Sequence, residues 1–252
     1  MQIALRTEKL VKRFEGLVAV DHVDIKVPER EVTLIIGPNG SGKTTLINTI
    51  TGIYKADDGK VYFYDEDITS REPHEIYRLG IVRTFQIPQP FKKLTVIENL
   101  LLADAHHPGE DFVKAFLKRK WLRKEEELVE RAFKILEFLK LDHLWDREAY
   151  KLSGGQLKLL EIARALMANA KLIIMDEPIA GVNPVLAHEI FQRIQDLKSR
   201  LGVTFLLIEH RLDIALKYVD YVYTMAHGKI VAEGKPEEVV NNPSVIEAYL
   251  GG

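Results

Sequence analysis

At 252 residues, with 46% apolar and 29% charged side chains, the chain is long enough to bury a real core and is ordinary for a folded globular protein. A formal net charge of −2 does not call for nucleic acid or anionic lipid as a bulk electrostatic partner. No run of eighteen apolar residues offers a membrane span, and the lack of cysteine removes disulfides and thiolate metal sites. The opening MQIALRTEKLVKRF has no apolar signal core, so a cytoplasmic location is expected.

Val18, Val20, Val23, Ile25 and Val27 follow a period of about two and predict strands near the N-terminus. Val32 to Ile36 is a continuous apolar run, the pattern of a strand covered on both faces. GPNGSG breaks that run, and a helix is expected from near Gly42. GKVYFY at 59–64 predicts another strand, and the stretch from about 70 to 168 is expected to be helical. Within it Leu128, Ala132, Ile135, Leu136 and Leu139 recur at helical spacing, and Ser153 is placed to cap a helix running through Ala165 and Leu166. KLIIMDEP predicts a second buried strand, followed by a helix over about 184–200, the strand VTFLLIEH and a helix from near Leu212. YVYTMAHGKIVAEG predicts a hairpin turning at His227-Gly228-Lys229. No internal repeat or low-complexity linker interrupts the series. Strands alternating with helices around a helical insert predict an α/β fold with a mainly parallel sheet, a β-rich N-terminal portion and an inserted helical subdomain.

In open parallel sheets ligands bind outside the carboxyl ends of the strands. Three polar motifs fall there. GPNGSGKT fits G-x-x-x-x-G-K-[ST], which a chain of this size matches by chance on the order of 1% of the time. Successive N–H groups of Gly37, Asn39, Gly40, Ser41 and Gly42, with the helix N-terminus behind them, can wrap a phosphate chain. Lys43 can neutralise the β- and γ-phosphates, Thr44 can ligate Mg²⁺, and Thr45 can reach the α-phosphate. Asp176 at the end of LIIMD can hold Mg²⁺ through water, and Glu177 can take a proton from an attacking water. His210, ending the next strand, can bond the γ-phosphate and orient that water. Far downstream of the first glycine turn, Ser153, Gly154 and Gly155 of LSGGQ form a second anion-friendly helix start. It follows helix rather than strand, so it is not expected to build a sheet-edge site of its own. One nucleotide held between two chains accounts for both turns, each chain giving its phosphate loop to one nucleotide and its Ser-Gly-Gly turn to the other.

Taken together, these motifs resemble the ATP-binding subunits of ATP-binding-cassette (ABC) transporters over essentially the whole chain. GPNGSGKT is similar to that family's Walker A motif, LSGGQ to its signature and LIIMDE to its Walker B motif. Gln86 in RTFQ matches the Q-loop and is implied as a Mg²⁺ ligand and a catalytic-site residue. His210 matches the switch histidine, and Phe14 in KRFEG the aromatic that stacks on adenine. The signature residues Ser153, Gly154, Gly155 and Gln156 are then implied to act on the partner cassette's ATP. The D-loop carries Val182-Asn183 where the family usually has Leu-Asp, a mark of the importer branch. GIVRTFQIPQPFKKLTVIENLLLA, EPIAGVNP, IEHRLDIAL and VIEAYLGG are similar to branched-chain amino acid importer cassettes, with parts shared by urea and lipopolysaccharide cassettes.

The resemblance implies one ABC ATPase domain over 1–252, of P-loop NTPase fold with an N-terminal antiparallel β subdomain. An ATP-binding core is expected over about 1–85 and 169–252 and a helical signature subdomain over about 86–168. It implies ATP and Mg²⁺ as cofactors, and as partners a second cassette (identical or not), integral membrane permeases and an extracytoplasmic solute-binding protein. The chain would then lie on the inner face of the membrane through the permeases. The alternatives are a cassette for urea or lipopolysaccharide transport and a soluble cassette acting on DNA or ribosomes, although neither a long coiled coil between motifs nor a second cassette is present. IPQPF at 87–91 is expected to dock a membrane partner. KAFLKRKWLRK at 114–124 reads as a solvated helix face with its aromatics packed inward, contact with lipid head groups or a permease loop being the alternative, and His106-His107 reads as a solvated loop.

Overall fold

The computed structural model describes residues 2–84, 88–104 and 118–250, with backbone alone for 118–124 and 250. Gln86, Ile87, His106-His107 and residues 114–117 lie outside the described residues, and the side chains of 118–124 do too. The chain divides into two compact units, Met1–Gln86 with Lys171–Gly252, and Ile87–Ala170.

Two sheets organise the first unit. In the N-terminal sheet, β1 (Ile3–Phe14) pairs antiparallel with β2 (Leu17–Val23), β3 (Lys26–Pro28) and β5 (Asp58–Phe63), which carries the two-residue β6 (Glu66–Asp67) at the edge. The expected valine alternation holds only in pieces. His22 adopts a left-handed φ of 51°, which separates Val20 from Val23, and Ile25 is buried between strands rather than in one. Val18 is exposed.

The second sheet has the order β11-β10-β4-β9-β8-β7. Its strands are β4 (Val32–Ile36), β7 (Ile81–Thr84), β8 (Leu172–Asp176), β9 (Thr204–Ile208), β10 (Tyr221–Ala226) and β11 (Lys229–Gly234). All its pairings are parallel except β10 with β11. Every residue of β4 and β9 is buried, as their unbroken apolar runs require. Helix α1 (Lys43–Ile50) lays Leu46, Ile47 and Ile50 into a core with Ile35, Ile174, Leu206 and Ile208. Full burial of such side chains stabilises by roughly 1.5–3 kcal/mol each. The two-residue turn His227-Gly228 has φ of 48° and 79°, the doubly left-handed turn that matches strand twist, so Lys229 already belongs to β11.

One expectation is corrected. The stretch from about 70 to 168 is not helical throughout, because β7 lies inside it and pairs with β8. Helix α2 (Pro73–Leu79) ends at left-handed Gly80, and IVRT, four residues bounded by that stop, is too short for its period to distinguish strand from helix.

In the second unit α3 (Val96–Leu101), α4 (Lys118–Phe138) and α5 (Gly154–Met167) pack on one another. Leu128, Ala132, Leu136 and Leu139 are buried as their spacing predicts. Asn99, also buried, organises the preceding loop. Its amide donates to the carbonyls of Phe91, Leu94 and Thr95, and its Oδ1 accepts from Phe91 N–H.

The remaining helices of the first unit are α6 (Pro184–Leu201), α7 (Leu212–Ala215), α8 (Pro236–Val240) and α9 (Pro243–Leu250). No described helix is long and apolar enough to cross a membrane.

Candidate functional site: a nucleotide cleft at the strand ends

The loop between β4 and α1 is built on backbone that only glycine accommodates easily. Gly37 and Gly42 have φ of 147° and 101°. A Cβ on Gly37 would collide with the Met225 carbonyl oxygen, and one on Gly42 with that of Ala19. The loop therefore nests against β10 and β2 through backbone contact. Lys43 folds back over it, its ammonium donating to the carbonyls of Gly37 and Pro38, both at 2.8 Å. Burial pushes the Lys43 ammonium below its usual pKa, and the nearby Asp176 and Glu177 carboxylates oppose that shift.

A cleft of about 500 Å³ opens above this loop. Of the residues singled out in the sequence, Phe14, Asn39, Gly40, Gly42, Lys43, Thr44, Thr45, Asp176, Glu177 and His210 all line it. Phe14 packs at 80° to Tyr54, with ring centroids 5.2 Å apart, and borders the cleft. Gly37 and Ser41 do not line it. Ser41 lines a second, adjoining cavity.

Asp176 closes β8 and pairs with Arg83 of β7 at 3.4 Å. The same guanidinium donates to Asn48 Oδ1 of α1. Burial raises the Asp176 carboxyl above its usual range, Arg83 working against it; burial likewise lowers Arg83. Both shifts run against the charged forms, burial being the larger cause in each. Glu177 leaves the strand with a left-handed φ of 49°, a conformation costing of order 1 kcal/mol in a non-glycine residue. Its N–H donates to the Ile208 carbonyl at 2.9 Å, which ties it to β9. That turn aims the carboxylate across the sheet, where Oε1 lies 3.3 Å from His210 Nε2.

Glu209, next to His210 just past β9, is buried and holds the neighbouring turns. It accepts N–H bonds from Ile179 (3.0 Å), His210 (2.9 Å) and Arg211 (3.2 Å). Arg211 in turn donates to the Val182 carbonyl at 3.1 Å. Asn183 does not line the cleft; it caps α6, Oδ1 accepting Leu186 N–H at 3.0 Å. Asn serves as well as Asp at that position, which gives the departure from Leu-Asp a structural account.

In the other unit Ser153 caps α5, its Oγ accepting from Gln156 N–H at 3.3 Å while Gln156 Oε1 accepts from Ser153 N–H at 2.9 Å. Gly154 has no left-handed φ, and a Cβ there would meet nothing within 4 Å.

Two hard oxygen donors, the Thr44 hydroxyl and the Asp176 carboxylate, line the cleft together and fit Mg²⁺ carried in on phosphates. Among the described residues no cluster of three or more His, Asp or Glu would hold a metal without such help.

Residues 20–180 match the ABC transporter family, and residues 229–252 match the family described as branched-chain amino acid ATP-binding cassette transporter. A probable branched-chain amino acid transport ATP-binding protein of Archaeoglobus fulgidus is 62% identical over 98% of this chain and 95% of its own length. A crystal structure of a nucleotide-free ATP-binding cassette from an ABC transporter is 58% identical, with a TM-score of 0.86 and full coverage of both chains. A dimeric cassette in a post-hydrolysis state, bound to ADP and Pi, is 25% identical, with a TM-score of 0.74 over 92% of this chain and 98% of that one. With a match across most of its length and relatives this similar end to end, the chain belongs to the ABC transporter family, as one of its ATP-binding cassettes.

Proposed function

We propose that the chain is the ATP-hydrolysing subunit of a branched-chain amino acid importer, binding Mg-ATP where two cassettes meet head to tail. The observation that carries the chemistry is the gathering of the phosphate loop, Asp176, Glu177 and His210 in one cleft, with Glu177 3.3 Å from His210. Lys43 leaves its own loop carbonyls for the β- and γ-phosphates, and the backbone of 37–42 wraps the chain of phosphates. Thr45 reaches the α-phosphate and Phe14 stacks on adenine. Thr44 and Asp176 hold Mg²⁺, joined by Gln86, which lies outside the described residues. The ion, when bound, supplies positive charge to the β- and γ-oxygens. Glu177 takes a proton from water as the new oxygen–phosphorus bond forms and the bond to the leaving ADP breaks. His210 orients the water and bonds the γ-phosphate.

Ser153, Gly154, Gly155 and Gln156 serve the partner cassette's ATP. Nothing within 4 Å would meet a Cβ on Gly154, so its glycine is explained by what approaches from outside. The dimeric relative with ADP and Pi supports that pairing. Asn183, beside the same interface by family likeness, keeps its helix-capping bond there. The permeases and an extracytoplasmic binding protein supply the pathway and the solute, and Phe91, 53% exposed in the IPQPF segment, gives the permeases an apolar foothold on the inner membrane face. The 24-residue match over 229–252 and the 62% identical relative favour branched-chain amino acids as the solute.

Detergent extraction and affinity purification of the chain from its own cells tests this. Hydrophobic permease subunits are expected to co-purify, and uptake of labelled leucine is expected to stop when the chain is deleted. Recovery of ribosomes or DNA without permeases, or unchanged leucine uptake, would contradict it.

A further inference from the structure

The phosphate loop is held from behind by the C-terminal helix. β4 ends at Ile36, so the next N–H, that of Gly37, has left the sheet ladder. A partner comes from more than two hundred residues downstream, because Gly37 N–H donates to the Tyr249 hydroxyl of α9 at 2.9 Å. The Tyr249 ring, 39% exposed, borders an apolar groove with Ile36, Leu212, Leu216, Val245 and Ile246. Earlier residues of α9 border the same loop: Ser244, Glu247 and Ala248 line a cavity of about 590 Å³ with Pro38, Asn39, Gly40 and Ser41, which shares Asn39 and Gly40 with the nucleotide cleft. Burial pushes the Tyr249 phenol above its usual pKa, with the Gly37 N–H opposing, so the group remains a neutral hydroxyl at physiological pH.

Gly37 is thus gripped twice, its carbonyl by the Lys43 ammonium and its N–H by Tyr249. The first grip is lost when Lys43 turns to phosphate. The second does not touch the cleft and can persist. We propose that Tyr249 is a positioning residue for the phosphate loop, its hydroxyl keeping the first peptide of the loop oriented while Lys43 exchanges the Gly37 carbonyl for the nucleotide. This rests on the assignment of Lys43 to phosphate made above. Without the phenol, the loop has more conformations to lose on binding, and apparent affinity falls by the fraction that is competent. Tyr249 touches no reacting atom, so its effect belongs in binding rather than in the chemical step.

The test compares the intact chain with Tyr249→Phe, which keeps the ring, and Tyr249→Leu, which does not. MgADP affinity is read by calorimetry, amide exchange peptide by peptide, KM and kcat from turnover, and melting temperature as a check on folding. For Tyr249→Phe the MgADP dissociation constant and the KM for ATP are expected to rise roughly 3- to 10-fold, the worth of one neutral hydrogen bond. Exchange is expected to quicken at 37–42, with kcat and melting temperature little changed. If Tyr249→Phe matches wild type in affinity and exchange while only Tyr249→Leu weakens binding, ring packing alone matters and the proposal is wrong. Exchange that quickens throughout the chain with a fallen melting temperature overturns it too. If the wild-type chain fails to bind MgADP, the nucleotide reading itself falls, and this inference with it.

Discussion

Glu177→Gln is expected to slow steady-state ATP hydrolysis by roughly 10²- to 10⁴-fold, the usual worth of a positioned general base. Glutamine has the same length and keeps an oxygen to face His210 Nε2, now 3.3 Å from Glu177 Oε1. Its backbone can keep the left-handed turn and the N–H bond to Ile208. What it loses is the ability to take a proton. Nucleotide affinity should therefore be retained, and the variant should accumulate as an ATP-bound dimer. Single-turnover hydrolysis with calorimetric ATP binding on the same sample separates the two effects. Turnover equal to wild type would remove Glu177 from the chemistry and leave it as a turn residue.

Lys43→Ala should act on the other side of the ledger, weakening nucleotide binding itself. The ammonium sits over the loop with two carbonyls as acceptors, both at 2.8 Å, which hold it near the phosphate position before any nucleotide arrives. Burial lowers its pKa, and the Asp176 and Glu177 carboxylates oppose that shift. Hydrogen bonds to charged groups contribute about 1.5–3 kcal/mol, so a loss of roughly 10- to 100-fold or more in ATP affinity is expected on calorimetric titration. The Gly37 and Pro38 carbonyls freed by the substitution can turn to water, so folding should survive. An unchanged dissociation constant would contradict the role given to Lys43.

Much of this site was legible in the residues because its chemistry is local. A glycine-lined turn between a buried strand and a helix, a carboxylate pair at one strand end and a histidine at another each carry their own context, and a parallel sheet brings such ends together. Ser153 was legible as a cap for the same reason, its partner Gln156 lying one turn away. What escaped depends on contacts distant in sequence. Arg83 is 93 residues from Asp176, and an arginine among the apolar residues of GIVRT does not by itself announce its anionic partner. Tyr249 is 212 residues from Gly37, and nothing in AYLGG announces a hydroxyl aimed at a loop amide. β7 was missed because four residues carry no period, and its place was decided by pairing with β8. Asn183 reads in the sequence as a departure from the family's Leu-Asp pair. In the fold it is a helix cap, for which charge is not needed.

The central claim, that each ATP is gripped by the phosphate loop of one chain and the Ser-Gly-Gly turn of another, is tested most directly by mixing two crippled chains. Lys43→Ala and Ser153→Ala proteins are each first shown to hydrolyse ATP poorly, and are then combined in equal amounts. In a mixed dimer both lesions fall in one site, and the other site keeps a wild-type loop facing a wild-type turn. Activity is expected to reappear on mixing, toward about a quarter of wild type for random pairing with independent sites. A mixture no more active than the average of its parts, with mixed dimers demonstrably formed, would contradict the shared site.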